Sequence, residues 1–163
     1  MIEAVIFDWA GTTVDYGCFA PVKAFMEAFA HYGVPVTMEE TRKPMGMLKR
    51  DHIRTMLHME RIAAEWKRVH GHEATEEDVD AMYAQFEPKL FSILDQYADP
   101  KPFAVETAAK LREMGLKIGS TTGYTDAMMN IVVPKAAQQG YAPDCWVSPD
   151  GAEGKGRPYP CLL

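Results

Sequence analysis

Ala4-Val5-Ile6-Phe7 is an unbroken apolar run that ends in Asp8 and is followed at once by Trp9-Ala10-Gly11-Thr12-Thr13. Four consecutive apolar residues bounded by turn chemistry suit a strand buried on both faces of a parallel sheet. Open α/β sheets bind ligands just beyond the carboxyl ends of such strands. Asp8 is therefore expected at the mouth of a ligand crevice. Taken alone, an acid in this place more commonly closes an Asx turn, so the rest of the chain has to decide.

Beyond this turn the chain carries helical periodicity and no alternation. Ala20 to about His31 reads as a helix, with Pro21 in its first turn, Val22, Phe25, Met26 and Phe29 on one face and Gly33 past its end. Thr37 followed three residues later by Glu40 is a capping-box start, and Lys43-Pro44-Met45-Gly46 interrupts that short helix. Further helices are expected from about Met47 to Leu57, from Ile62 to Val69, and from Thr75 past Pro88 to Leu94. Residues 19–94 therefore read as an all-helical insert.

Asp99-Pro100-Lys101-Pro102 is punctuation that returns the chain to its first layout. A helix is expected from Phe103 to Met114, with Val105, Ala108, Ala109 and Leu111 inward and Gly115 beyond its end. The strand Leu116–Gly119 then runs into Ser120-Thr121-Thr122-Gly123-Tyr124. Asp126 to Gln139 reads as a helix that Pro134 should kink or divide, Cys145-Trp146-Val147 as a short third strand, and Pro149 to Pro160 as a glycine and proline loop. Strands alternating with helices predict parallel pairing with right-handed crossovers. The expected fold is α/β, with a core from residues 1–18 and 95–163 and the helical insert between them.

Composition narrows the function classes. A chain of 163 residues, 47% of them hydrophobic, can bury one core or one core plus a small insertion. Its formal charge of -6 offers no electrostatic reason to expect nucleic acid or an anionic membrane as partner. No run approaches the roughly 18 apolar residues of a membrane span, and the first residues lack a signal peptide pattern, so a cytoplasmic protein acting on small molecules is expected. Cys18, Cys145 and Cys161 show no C-x-x-C spacing, and reduced thiols are expected. The eleven methionines read as adaptable core or interface filling.

Parallel strands would bring Asp8 and the Thr121-Thr122-Gly123 turn to one edge of the sheet, a phosphate site in outline. Threonine hydroxyls and backbone N–H groups suit phosphoryl oxygens, and Arg157 could add a bidentate clamp. Each residue also has a plainer reading. Thr122 could cap the following helix, and Arg157 could be a solvated loop charge.

Asp8-Trp9-Ala10-Gly11-Thr12-Thr13, Pro44-Met45-Gly46-Met47-Leu48-Lys49-Arg50-Asp51-His52, Ser120-Thr121-Thr122-Gly123-Tyr124 and Gly156-Arg157-Pro158-Tyr159-Pro160 together resemble the phosphonoacetaldehyde hydrolases (phosphonatases) of the haloacid dehalogenase superfamily. The resemblance runs through essentially the whole chain. It implies a Rossmann-like core with a helical cap inserted after the first strand. It further implies that Asp8 is a nucleophile attacking phosphorus and that Lys49 forms a Schiff base with an aldehyde.

Those two roles need each other. Breaking a carbon–phosphorus bond leaves electrons on carbon, and a protonated imine is the sink that accepts them as an enamine. Typical phosphatases of the superfamily place a second aspartate where this chain has Ala10, to protonate an alcohol leaving group. An enamine does not need that proton. The amine that attacks the aldehyde must be partly unprotonated, and the apolar Met45, Met47 and Leu48 could supply the surroundings that achieve this.

By the same resemblance His52, on one helical face with Lys49, belongs with Met45 to the proton-transfer environment. Trp9, Cys18 and Tyr124 are expected to line the pocket, with packing an equal alternative for each. Mg2+ is expected on the Asp8 carboxylate and the Ala10 backbone carbonyl, and a homodimer through the cap. The chain ends at Leu163, ahead of the segment in which the family carries its fourth motif. The expectation is thus a C-terminally incomplete core, an incomplete metal site and impaired hydrolysis. Two rival readings remain: a phosphomonoester phosphatase of the same superfamily, against which Ala10 and Lys49 argue, and an inactive fragment acting as a dimerisation or interaction module. His31, His58, His70 and His72 form no ligand set in the sequence.

Overall fold

A computed structural model describes residues 2–159. Pro160 and Cys161, assigned to the tail motif and to the thiols, lie outside the described residues. The chain divides into two compact units, Met1–Phe19 with Ile93–Leu163, and Ala20–Ser92.

The first unit is built on a parallel sheet of strands β1 (Ala4–Asp8), β2 (Lys117–Thr121) and β3 (Cys145–Val147), in the order β1-β2-β3. The register pairs Phe7 with Ser120 and Asp8 with Thr121, so both strands end level. β2 extends further than the apolar run suggests, because the Ser120 hydroxyl donates to the Phe7 carbonyl at 2.9 Å and lets a polar residue serve the ladder. Central β2 is buried from Ile118 to Thr121. β1 departs from expectation: Ala4 and Ile6 are exposed, Ile6 by 52%, and Val5, Phe7 and Asp8 are half-buried. Its apolar run is that of a fully covered strand, yet among the described residues it pairs on one side only.

Helix α6 (Ala104–Glu113) precedes β2, and α7 (Asp126–Gln138) separates β2 from β3. α6 begins after Phe103 because that residue has φ +69, outside the helical region. Its buried face is narrower than expected: Ala108 is buried while Ala109 is exposed, being about 100° further round the helix. α7 continues through Pro134 and is not divided there. Proline removes one N–H, and the carbonyl left without it belongs to Asn130, on an exposed position that water can serve.

The second unit is helical: α1 (Phe19–His31), α2 (Met38–Arg42), α3 (Lys49–Leu57), α4 (Glu60–His70) and α5 (Glu76–Ile93). The capping box forms as its pattern demands. The Glu40 N–H donates to Thr37 Oγ1 at 3.2 Å, and the Thr37 N–H donates to Glu40 Oε2 at 2.8 Å. Gly71 closes α4 in the left-handed conformation with φ +79. α5 continues through Pro88 before a 3-10 turn over Leu94–Tyr97.

The core of this unit gathers Phe25, Ile53, Met56, Trp66, Met82 and Phe86, all with no exposed surface. Phe25 stacks on Phe86 with ring centres 4.2 Å apart. On the outside, Arg50 and Arg54 of α3 donate to Glu76 at 2.9 and 2.7 Å, and Arg50 also reaches Asp80 at 2.5 Å, tying α3 to the start of α5. Exposed ion pairs of this kind contribute little individually, so the apolar stack carries the unit. Phe86→Ala is accordingly expected to destabilise the protein by about 3–5 kcal/mol in urea unfolding. A loss below about 1 kcal/mol would show that the stack does not hold the helices together.

Candidate active site

Asp8 closes β1 and enters a tight turn. The Trp9 carbonyl accepts the N–H groups of Thr12, Thr13 and Val14 at 3.0, 2.9 and 3.2 Å. Gly11, with φ +84, donates its N–H to the Val14 carbonyl at 2.8 Å. A side chain there would be strained by the positive φ, and its Cβ would meet Cys18 Cβ at 3.1 Å. The Thr13 hydroxyl donates to the Asp8 carbonyl at 2.9 Å, and the Thr12 hydroxyl approaches Asp8 Oδ2 at 3.5 Å. The turn thereby fixes the backbone that presents the Asp8 carboxylate.

Arg157 comes to the same place from the tail. Its Nη2 donates to Asp8 Oδ1, so it is not a free loop charge. The loop leading to it is anchored by a short network: Ser148 Oγ donates to Asp126 Oδ1 at 2.5 Å, the Asp126 N–H donates to Asp150 Oδ2 at 2.7 Å, and the Asp150 N–H donates to Ser148 Oγ at 3.0 Å.

Thr122 is buried just beyond the end of β2 and accepts the Tyr124 N–H at 3.0 Å. The cap of α7 is Thr125, which accepts from the Met128 N–H; Thr122 shapes the turn ahead of it. Gly123 is half-buried in that turn. Tyr124 is 2% exposed, and burial, helped by Cys18, Asp15 and Asp8, pushes its phenol well above the ordinary range. It stays protonated. Trp9 is fully buried and packs edge to face against Tyr141 at 5.3 Å. Cys18 is half-buried, has φ +56, and lies against Gly11.

Lys49, His52 and Met45 belong to the helical unit. Lys49 is the first residue of α3 and is only 7% exposed, an unusual state for a side chain that is almost never buried unless paired. Met45 and Leu48 beside it are half-buried, whereas Met47 is 40% exposed. His52, one turn on, has no exposed surface and stacks on Phe25 at 4.0 Å. Its Nε2 lies 2.8 Å from the Thr41 carbonyl. A carbonyl only accepts, so Nε2 carries the proton and Nδ1 is the bare nitrogen. Nδ1 meets no hydrogen-bond partner among the described residues.

Oxygen donors for a divalent ion are present in kind: the Asp8 carboxylate and the Ala10 backbone carbonyl are the hard ligands that Mg2+ takes. Among the described residues no group of three or more His, Cys, Asp or Glu side chains is gathered into a metal cage. Asp8 and Ala10 could therefore fill only part of an octahedral shell. Sequence reading does not single out Thr13, Thr41 or Lys101, all of which bind elements of these two clusters. Thr13 and Lys101 are visible beforehand only as the second threonine of a Gly-Thr-Thr turn and a lysine between two prolines.

The environment of His52 has a pH consequence. Burial first, and the Lys49 charge second, lower its pKa to about 3, with the Thr41 carbonyl acting the other way. The unfolded chain binds a proton near pH 6.5 that the folded ring refuses. The stability linked to His52 is thus intact above pH 6.5 and falls as pH drops below it, by up to about 1.4 kcal/mol per pH unit. Glu40, held at about 2 chiefly by its bond to Arg61, adds to the loss only below 4.5. Urea unfolding between pH 6.5 and 4.5 should show this slope, and His52→Gln should flatten it; equal slopes in the two proteins would contradict the assignment.

The haloacid dehalogenase-like hydrolase family pattern matches residues 2–160. A phosphonoacetaldehyde hydrolase from Bacillus cereus (strain G9842) is 61% identical over 161 residues, which cover 99% of this chain and 61% of that protein. A bifunctional phosphonoacetaldehyde hydrolase/aminoethylphosphonate transaminase from Clostridioides difficile is 60% identical over 99% of this chain and 25% of its own length. The chain thus spans less than two thirds of these curated relatives. The crystal structure of a phosphonoacetaldehyde hydrolase-like protein from Oleispira antarctica superposes with a TM-score of 0.91 at 42% identity, covering 99% of this chain and 58% of that one. The match over nearly every residue, on a parallel sheet with an acid at the tip of its first strand, settles the family: this chain belongs to the haloacid dehalogenase-like hydrolases.

Proposed function

We propose that the chain takes part in hydrolysis of the carbon–phosphorus bond of phosphonoacetaldehyde, giving acetaldehyde and phosphate, with Asp8 as nucleophile and Lys49 as the Schiff-base amine. The observation that carries this reading is the burial of Lys49 at the head of α3, 7% exposed and one turn from a neutral, fully buried His52. A lysine serving only solubility has no reason to be there. The similarity to phosphonoacetaldehyde hydrolases at about 60% identity supports the same substrate.

In the proposed sequence, the Lys49 amine adds to the aldehyde and water leaves, forming a protonated imine. The Asp8 carboxylate attacks phosphorus in line with the carbon–phosphorus bond. That bond breaks, its electron pair passes to the imine as an enamine, and phosphorus is left on Asp8. The enamine takes a proton on carbon, water releases acetaldehyde from Lys49, and a second water releases phosphate from Asp8. Arg157 would exchange Asp8 Oδ1 for a phosphonate oxygen when substrate arrives. It would then hold the phosphoryl group with the Thr122-Gly123 turn.

His52, one helical turn from Lys49, has a bare Nδ1, and its depressed basicity means that it holds a proton only in passing. Within the sheet unit Trp9, Cys18 and Tyr124 would support the Asp8 turn, and within the helical unit Met45 would give Lys49 an apolar neighbour. Mg2+, held by Asp8 and the Ala10 carbonyl, would neutralise charge between the carboxylate and the phosphonate.

The helical residues 19–94 act as the cap in this reading. A homodimer through the cap also belongs to the proposal, and exposed Met38 and Met47 in the helical unit are compatible with it. No helix of the described residues is long and apolar enough to cross a membrane, and we place the reaction in the cytoplasm.

Sodium borohydride added with phosphonoacetaldehyde should reduce the imine to a stable secondary amine. Peptide mass spectrometry is expected to find the adduct on Lys49 and to find none in Lys49→Arg. Turnover of the Arg variant should fall by about a thousandfold or more, since arginine cannot form the imine. An adduct on another lysine, or full activity in Lys49→Arg, would overturn the proposal.

A further inference from the structure

The segment Asp99-Pro100-Lys101-Pro102 grips the turn after Asp8 from outside, by backbone and side chain together. The Asp15 N–H donates to the Asp99 carbonyl at 3.3 Å, Val14 and Pro100 form an antiparallel bridge, and the Lys101 N–H donates to the Thr13 carbonyl at 2.8 Å. The Lys101 Nζ then donates to the Gly11 carbonyl at 2.7 Å and lies 5.5 Å from the centre of the Tyr16 ring. A lysine between two prolines would ordinarily be solvated. This one is half-buried and engaged at its backbone and at its tip.

The position of that contact matters more than its strength. The peptide between Gly11 and Thr12 is held at both ends, by Lys101 on the Gly11 carbonyl and by Trp9 on the Thr12 N–H. The preceding peptide joins the Ala10 carbonyl to the Gly11 N–H, which is tied to Val14. With both planes fixed, a glycine that could otherwise rotate freely has one available conformation. The aim of the Ala10 carbonyl and the place of the Thr12 hydroxyl beside Asp8 Oδ2 follow from it. Hydrogen bonds from an ammonium are about twice as strong as neutral ones, which suits a tether that must hold a flexible residue.

We propose that Lys101 is a positioning residue of the nucleophile loop. It clamps the Gly11 carbonyl so that the Ala10 carbonyl and the Thr12 hydroxyl keep their bearing on Asp8. The inference rests on the reading of Asp8 as the phosphoryl acceptor. Lys101 itself touches neither substrate nor the reacting atoms.

Lys101→Met removes the donor while keeping the length of the side chain, and Lys101→Arg restores a cationic donor. Amide hydrogen exchange followed by NMR should show Gly11 and Val14 exchanging about tenfold faster or more in Lys101→Met, with Ile118 and Ser120 of β2 unchanged. With phosphonoacetaldehyde, kcat is expected to fall about tenfold while KM changes less than about threefold, and Lys101→Arg should recover most of both effects. Parental exchange rates in Lys101→Met would overturn the proposal, as would parental kcat with a loosened loop. If the unsubstituted chain leaves phosphonoacetaldehyde intact, the carbon–phosphorus reading fails on that protein alone, and the exchange comparison still decides the tether.

Discussion

Parallel pairing of β1 with β2, in the register that sets Asp8 beside Thr121, is the constraint on which the core unit depends. Level strand ends bring a carboxylate and a threonine-glycine turn to one edge, where the chain can leave the sheet without breaking its ladder. Everything around Asp8 then serves to hold a short peptide still. Trp9 collects three N–H groups, Thr13 braces the Asp8 carbonyl, and Arg157 meets the carboxylate. Phosphoryl transfer depends largely on positioning and charge, and under the proposed function this rigid turn supplies the positioning of Asp8.

The helical unit answers a different demand. Its stack of His52, Phe25 and Phe86 makes an apolar interior, and α3 opens with a lysine already removed from water. An ammonium is expensive to bury, and under the proposed function imine formation is what that burial serves. The neutral state of His52 follows from the same burial, and it leaves an acceptor nitrogen where a second positive charge would be unfavourable.

Much of this was legible in the amino-acid order, because the strongest signals are local. The Thr37 and Glu40 capping box, the apolar run before Asp8 and the alternation of strands with helices all speak through periodicity and turn chemistry. Signals that depend on neighbours were not. The apolar β1 run says nothing about how many strands flank it, and Ile6 is half exposed. Ala109 has a side chain suited to a core face but points elsewhere, and Pro134 sits inside α7 where its lost bond falls on the solvent side. At the site, the Thr41 carbonyl under His52 and the Lys101 clamp on Gly11 join residues 11 and 90 positions apart. No spacing rule reaches so far. Lys49 stood out only through its motif, since composition alone places lysines in water.

The central claim is that this chain's Asp8 and Lys49 divide the work of breaking a carbon–phosphorus bond. Incubation with phosphonoacetaldehyde and Mg2+ in deuterium oxide, followed by phosphorus and proton NMR, tests it most directly. The account predicts that the phosphonate resonance is replaced by inorganic phosphate and that the acetaldehyde formed carries deuterium in its methyl group, because the enamine takes its proton from solvent. An intact phosphonate signal in a preparation that nevertheless hydrolyses phosphate monoesters would contradict it.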